Sequence, residues 1–203
     1  MQNSSNRHPF LIGALLVLLL VATRGRHFAT WHSLPSASWA VFFLAGIYLR
    51  PRWILPALLA SVWTMDFAPH LLGGAGLREI IEGGQAYCLT PGYFTLLPAY
   101  AALWFAGRWY ARRHRFAWRS LLPLAAATVG GAVLCELLSS GGFYLLSGRF
   151  TEPNVAEFAE RLATYFPQAL QSMAFYVGIA AVIHAMVVLA RSAAGSRKLT
   201  AAR

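Results

Sequence analysis

Apolar residues recur along the whole chain in runs that shorter polar stretches separate. Six runs can be delimited, at Phe10–Thr23, Ser38–Leu49, Trp53–Leu72, Leu89–Trp109, Leu121–Leu146 and Ala169–Ala190. None alternates apolar and polar residues as membrane strands do. The last four reach the roughly 20 residues that a crossing helix requires, whereas the first two are shorter. The pattern predicts an all-α membrane protein, a six-transmembrane-helix bundle built as a single integral membrane domain over residues 1–203.

The composition agrees with this prediction. The chain is 58% hydrophobic and only 12% charged, whereas soluble domains carry about 25% charged residues. The first apolar run follows Arg7 as a signal peptide would, but Val21-Ala22-Thr23 before Arg24 is a poor cleavage site. We therefore expect the first run to remain in the protein as a helix.

The net charge of +10 is distributed unevenly. With six helices and an inner N-terminus, twelve of the seventeen Lys and Arg residues fall on the inner side, and six of the seven acidic residues lie at outer helix ends or in outer connections. Basic residues mark the cytoplasmic side of membrane proteins. The charge thus predicts cytoplasmic N- and C-termini and a face that attracts anionic membrane lipid, and it argues against nucleic acid as the partner.

The three predicted outer connections are longer and chemically more mixed than the inner ones. They comprise Arg24–Ala37, Ala68–Cys88 and Ser147–Gln168. Such connections on one face of a rigid bundle are the usual place for ligand binding. Their Trp and Tyr residues are also compatible with simple anchoring of the helices at the membrane interface.

Asp66 stands at the outer end of the third run, four residues before His70. On a helix this spacing puts both side chains on one face, where they would ligate a metal, bind a polar ligand or remain solvated at the helix end. A carboxylate at the membrane boundary needs a partner. We expect Arg161 or His27 to supply it.

Two ionisable residues lie within apolar runs. Glu136 is about 22 Å along the fifth run, in the outer half of the bilayer, and is interpreted either as a functional group or as a protonated side chain bonded to a neighbouring helix. His184 lies in the inner half of the last run. We expect it to form an interhelical hydrogen bond.

The chain has two cysteines, Cys88 and Cys135. Thr90-Pro91 is typical of a helix N-cap followed by proline in the first turn, so Cys88 is predicted just outside a helix whose positive end favours the thiolate. Cys135 is expected about 21 Å along its helix, too deep for a disulfide with Cys88 and suited to packing. The Cys88 thiolate is therefore predicted to be a free soft metal ligand or a nucleophile.

The sequence resembles a known family at this motif. Cys88-Leu89-Thr90-Pro91-Gly92-Tyr93, together with Trp39–Arg50 and Leu103-Trp104-Phe105-Ala106-Gly107-Arg108, resembles the BtuM-type vitamin B12 transporters. These are solitary relatives of the substrate-binding S-components of energy-coupling-factor (ECF) transporters. The likeness spans most of the chain and is strongest from Trp39 to Arg113, and it implies an ECF S-component-like fold in a bacterial inner (plasma) membrane.

The resemblance implies that cobalamin is bound in an outward-facing cavity, with Cys88 as an axial ligand to its cobalt. It also implies that the thiolate removes cyanide from cyanocobalamin. The other polar pocket residues of the family match His27, Asp66, Tyr93 and Arg161. S-components that dock on a shared energising module carry an Ala-x-x-x-Ala pair on the first helix, which is missing from Gly13–Ala22, so we expect no dedicated ECF module as partner.

Other functions remain open at this stage. One is a membrane thiol enzyme that uses Cys88 as nucleophile or redox centre, with His70 or His27 as base. The others are an S-component-like transporter for another vitamin or metal, and a structural subunit. A visible spectrum separates these functions, because a bound corrinoid is coloured and its spectrum depends on the axial ligand.

Overall fold

The computed structural model describes residues 7–24, 35–72, 90–148, 150 and 152–200. Within these ranges the chain is helical, with no strand, and this confirms the predicted all-α class. The helices longer than one turn are α1 (Arg7–Arg24), α2 (Ser38–Tyr48), α3 (Ile54–Leu72), α4 (Leu96–Arg113), α5 (Leu121–Leu146) and α6 (Val155–Thr200). A single helical turn, Pro91–Phe94, precedes α4, and a 3₁₀ turn, Trp118–Ser120, precedes α5.

Contacts between helix termini define two ends of the bundle. At the first, Arg24 at the end of α1 bonds Ser38 at the start of α2 and Tyr100 in the first turns of α4. At the second, the last residue of α2, Tyr48, contacts His184 of α6, whose ring packs against His114 just after α4. We refer to these as the Arg24 end and the His114 end.

Helix α2 forms the centre of the fold. Eight of its eleven residues are buried, and it packs against α1, α4 and α6. Phe42 and Phe43 are fully buried, and the Phe42 ring stacks on Tyr100 of α4 at 4.3 Å between centroids. This predicted helix is too short to cross a bilayer unaided, and its burial shows that packing, rather than length, stabilises it.

Two glycines allow α2 and α4 to approach closely. A Cβ atom on Gly46 would collide with the Trp104 carbonyl oxygen, and one on Gly107 would collide with the Phe43 carbonyl oxygen. Backbone oxygens cannot move aside without displacing a whole helix. Small residues at a helix crossing are a common means of packing helices in membranes.

Gly107→Ala is therefore expected to lower the free energy of unfolding by about 1–3 kcal/mol, because the added methyl group forces α2 and α4 apart. The matched control is Gly130→Ala on α5, where a Cβ meets no atom within 4 Å and where alanine improves helix propensity. Denaturant titration of the detergent-purified protein measures both. Equal stability of Gly107→Ala and wild type would contradict the close crossing.

The last helix differs from its prediction. The segment Ser147–Gln168 was expected to be an outer connection and the helix to begin at Ala169, but α6 begins at Val155 and runs for 46 residues, about 69 Å. Asn154 caps it, since its Oδ1 accepts the Ala156 N–H at 2.9 Å and its carbonyl oxygen accepts the Phe158 N–H at 3.0 Å. Glu157 stands three residues after this cap, at the spacing of a capping box, although here the Asn154 N–H and the Glu157 carboxylate both bond the Tyr144 hydroxyl. The acidic stretch of the predicted loop is thus the first part of α6.

The fourth predicted run is also divided. Instead of one helix over Leu89–Trp109, the structure has the turn Pro91–Phe94 and then α4, which begins at Leu96 and continues to Arg113. Thr95 lies between the two. Thr90 occupies the N-cap position with extended backbone, and Pro91 lies in the first turn, as the sequence indicated. The start of this region is therefore confirmed, while the single continuous helix is not.

Two helical stretches of the described chain are long and apolar enough to cross a membrane, Trp118–Leu146 and Val155–Ala194. Only 33% and 17% of their apolar windows are buried within the protein. Large apolar side chains such as Leu122, Leu134, Val182 and Met186 are exposed on them. An apolar surface of this extent favours contact with lipid over contact with water.

Candidate functional site

A polar network joins four helices and the helical turn at the Arg24 end. Arg24 donates from Nε and Nη2 to the two carboxylate oxygens of Asp66, at 2.7 and 2.5 Å. Its Nη1 donates to Ser38 Oγ at 3.0 Å and to Tyr100 Oη at 3.1 Å. Tyr93 Oη donates to Asp66 Oδ2 at 2.7 Å. We call these five residues the Arg24 network, and its two-pronged ion pair is the geometry that fixes a guanidinium most firmly.

The Arg24 network corrects the predicted partner of Asp66. Arg161 was one expected partner, but it pairs with Glu157 on its own helix at 3.3 Å and lies 4.6 Å from the centre of the Phe150 ring. His27, the other, lies outside the described residues. Arg24 is the partner because α1 ends beside the C-terminal part of α3. Asp66 and residue 70 lie on one continuous helix as assumed, although the carboxylate turns to Arg24.

A cavity of about 590 Å³ opens beside the Arg24 network. Its walls come from the helical turn Pro91–Phe94, α5 and the first part of α6, and Phe143, Phe150, Phe158 and Tyr165 make it largely aromatic. Its polar groups are Tyr93, Glu136, Ser139, Ser140, Tyr144 and Arg161. We call it the Glu136 cavity. Its volume lies within the roughly 300–1,000 Å³ range of small-molecule sites.

Glycine packing holds the helical turn against this cavity. A Cβ on Gly92 would lie 3.2–3.3 Å from backbone atoms at the end of α5, and one on Gly142 would collide with the Thr95 side chain. The turn can therefore lie directly on α5. Tyr93, buried at 5% exposure, consequently lines the Glu136 cavity with one part of its side chain and bonds Asp66 with its hydroxyl group.

The start of α6 closes the opposite wall. Tyr144 Oη accepts the Asn154 N–H and donates to Glu157 Oε2, both at 2.9 Å. These bonds tie the N-terminal turn of α6 to the C-terminal end of α5. Arg161, one turn further along α6, is thereby placed at the cavity although 44% of its side chain is exposed.

The five residues predicted for the ligand site can now be placed as far as the structure describes them. Asp66 and Tyr93 are hydrogen-bonded to each other, and Tyr93 and Arg161 share the Glu136 cavity. Asp66 lies behind Tyr93 and does not line the cavity. Cys88 and His27 lie outside the described residues, so their roles stay predictions.

Sequence reasoning missed three contributors to this end of the bundle. Arg24 was counted only as an outer charge, although its place directly after an apolar run is where a membrane-boundary arginine needs a carboxylate. Asn154 and Glu157 were assigned to a loop, although their spacing is that of a helix start. Each of these signals was present in the sequence.

Glu136 is buried at 6% exposure on α5. Ser140 Oγ, one turn further along the same helix, donates to Glu136 Oε1 at 2.6 Å. Of the two interpretations offered by the sequence, the bond to a neighbouring helix does not occur within the described part of the chain. Instead, the carboxylate lies in the wall of the cavity.

At the His114 end a second polar cluster lines an apolar cavity of about 420 Å³. Tyr48 Oη lies 3.4 Å from His184 Nδ1, which confirms the predicted interhelical hydrogen bond of His184. Tyr110 Oη lies 2.8 Å from His114 Nδ1, and the two histidine rings are 5.3 Å apart. Partial burial, together with His184, lowers the pKa of His114 below its ordinary value.

Cys135 is fully buried among apolar side chains and is a free thiol. This confirms its predicted packing role. In the residues that the structure describes, no group of three or more His, Cys, Asp and Glu side chains is arranged to hold a metal ion.

Comparison of the chain with protein-family models and with curated proteins gives no match.

Proposed function

We propose that this protein binds a corrinoid at the Arg24 end and mediates its uptake across the bacterial inner membrane, with the Cys88 thiolate as axial ligand to cobalt. The observation that carries the proposal is the position of the Cys88–Tyr93 motif. Its described part, Thr90 to Tyr93, forms the turn that lines the Glu136 cavity and bonds the Arg24 network.

Chain connectivity brings Cys88 near this cavity. Cys88 is two residues before Thr90, so covalent geometry keeps their Cα atoms within about 7 Å of each other. Segments 25–34 and 73–89, which carry His27 and Cys88, both begin and end at the Arg24 end. This connectivity supports a cobalt ligand at the same end of the bundle as Tyr93 and Arg161.

The chemistry of the cavity suits one edge of the ligand, because a volume of about 590 Å³ holds only part of a corrinoid. A corrinoid is a broad macrocycle rimmed by amide side chains, and it needs apolar walls for its faces and hydrogen-bonding groups for its rim. The Glu136 cavity supplies aromatic walls together with hydroxyl, carboxylate and guanidinium groups. A thiolate is a soft donor that competes well for a late transition metal.

The same bond explains how cyanide would be removed. The Cys88 sulfur forms a bond to Co(III), the bond between cobalt and cyanide breaks, and cyanide leaves with its electron pair and takes a proton from water. Cobalt keeps its oxidation state, so the ligand exchange needs no reductant.

The proposed orientation places all six helices across the membrane, with the His114 end and both termini in the cytoplasm. Arginines of the described chain support it, because Arg50, Arg52, Arg112, Arg115 and Arg119 surround the His114 end. Acidic residues of the described chain, apart from the buried Glu136, lie at the Arg24 end. This asymmetry is the one that orients membrane proteins.

Titration of the detergent-purified protein with hydroxocobalamin tests the proposal. We expect the corrinoid to co-elute with the protein and its visible spectrum to shift, since a thiolate replaces the original axial ligand. A spectrum that remains that of the free corrinoid, without co-elution, would reject corrinoid binding. If no corrinoid binds and the protein instead takes up a group covalently from a coloured or acyl probe, the result would support a thiol enzyme.

A further inference from the structure

The Glu136 carboxylate has a hydrogen-bonding capacity that the described protein does not fill. An ionised carboxylate accepts about four hydrogen bonds. Ser140 supplies one, to Oε1, and within the described ranges no other donor bonds either oxygen. Glu136 is nevertheless buried at 6% exposure within the apolar run of α5.

The nearest candidate cation in the cavity wall is already engaged. Arg161 pairs with Glu157 at 3.3 Å and rests on the Phe150 ring. No bond joins Arg161 to Glu136 in the described part of the structure. A buried carboxylate left unpaired is costly, and in a membrane protein it marks a functional position.

The open side of Glu136 faces the cavity. Glu136 lines the Glu136 cavity together with Ser139 and Ser140, and these three residues form a polar patch in a wall that is otherwise aromatic. Both serine hydroxyl groups are committed as donors, Ser139 to the Cys135 carbonyl oxygen and Ser140 to Glu136. The patch therefore presents acceptor atoms and requires donors from whatever occupies the cavity.

We propose that Glu136 is a recognition residue of the ligand site and accepts N–H groups from a primary amide on the rim of the bound molecule. This inference rests on the proposed corrinoid function and names the group that holds one edge of that ligand. A neutral amide provides N–H donors without bringing a second charge into the outer half of the membrane, where the proposed orientation places Glu136. It also tolerates the guanidinium of Arg161 on the facing wall.

The test uses hydroxocobalamin and a set of its monocarboxylate derivatives, in each of which one rim amide is replaced by a carboxylate. Wild-type protein is expected to bind at least one derivative about ten-fold or more weaker than hydroxocobalamin, because two carboxylates then face each other. In Glu136→Gln the difference should shrink to about three-fold or less, since the glutamine amide can donate to the ligand carboxylate.

Two further variants control for other effects of the substitution. Glu136→Gln still has an oxygen that can accept the Ser140 hydroxyl. Glu136→Leu removes both oxygens and should lose the same discrimination between hydroxocobalamin and its derivatives. Glu160→Gln is the control, because Glu160 is exposed on α6 and does not line the cavity, so it should discriminate as wild type does. Unchanged discrimination in Glu136→Gln, or none in wild type, would overturn the role of Glu136 alone. Failure of wild type to bind hydroxocobalamin itself would overturn the corrinoid function, and this inference with it.

Discussion

Cys88→Ser is expected to abolish the corrinoid spectral shift and the removal of cyanide, while the protein still folds. Serine keeps the size and polarity of cysteine, but its hydroxyl is a hard and poorly ionised ligand where cobalt requires a soft donor. The position lies outside the helices predicted to form the bundle. The loss should therefore be specific to the bond between sulfur and cobalt.

Cys135→Ser provides the matched control. Cys135 is fully buried on α5 and its side chain does not line the cavity, so its substitution should leave the spectral shift and cyanide release unchanged, although it introduces a hydroxyl into an apolar site. Both variants are compared with wild type by visible spectroscopy with hydroxocobalamin and cyanocobalamin. A wild-type spectrum and a wild-type rate of cyanide release in Cys88→Ser would show that the thiol is not the ligand.

The helices were predictable from the sequence because burial in a bundle or in lipid requires continuous apolar runs, and these are visible in one dimension. Helix boundaries were predicted wrongly where a local feature other than apolarity determines them. The start of α6 depends on the cap at Asn154 and not on apolarity, and the first part of that helix is amphipathic. Thr95 interrupts a continuous apolar run between the helical turn and α4, and apolarity alone gives no sign of it.

The candidate site was only partly predictable for a different reason. The charge pattern predicts that Asp66, Tyr93 and Arg161 share one side of the bundle, and the structure places them at one end of it. Which residues pair does not follow, because Arg24 and Asp66 are 42 residues apart and periodicity does not tell which helices are neighbours. The open side of Glu136 likewise depends on the packing of α5 against the turn and α6.

The Arg24 network allows a second strong effect to be predicted. Asp66→Ala is expected to lower the free energy of unfolding by about 2–3 kcal/mol, because it leaves the Arg24 guanidinium largely buried without its carboxylate. The two side chains are only 16% and 17% exposed. Tyr93 loses its acceptor in the same variant, so the wall of the Glu136 cavity should loosen and corrinoid binding should weaken.

A double-mutant cycle separates the ion pair from other effects of the substitution. Combining Asp66→Ala with Arg24→Ala removes both charges, so the double variant should be more stable than the sum of the single losses indicates, by about 2 kcal/mol. Unfolding titrations in mixed detergent micelles measure each variant. The matched cycle uses Arg161→Ala and Glu157→Ala, whose side chains are 44% and 46% exposed, and its coupling should be below about 1 kcal/mol.

Equal coupling in the two cycles would mean that the Arg24–Asp66 pair is as solvated as a surface pair, and the network would then not hold α1, α3 and α4 together at the Arg24 end. The coupling at Arg24–Asp66 could instead be large while Asp66→Ala binds corrinoid as wild type does. That result would mean that the network stabilises the fold and does not contribute to the ligand site. The combination expected here is strong coupling together with weakened binding, since Tyr93 takes part in both the network and the cavity. One hydroxyl group then links the stability of the bundle to the shape of its ligand site.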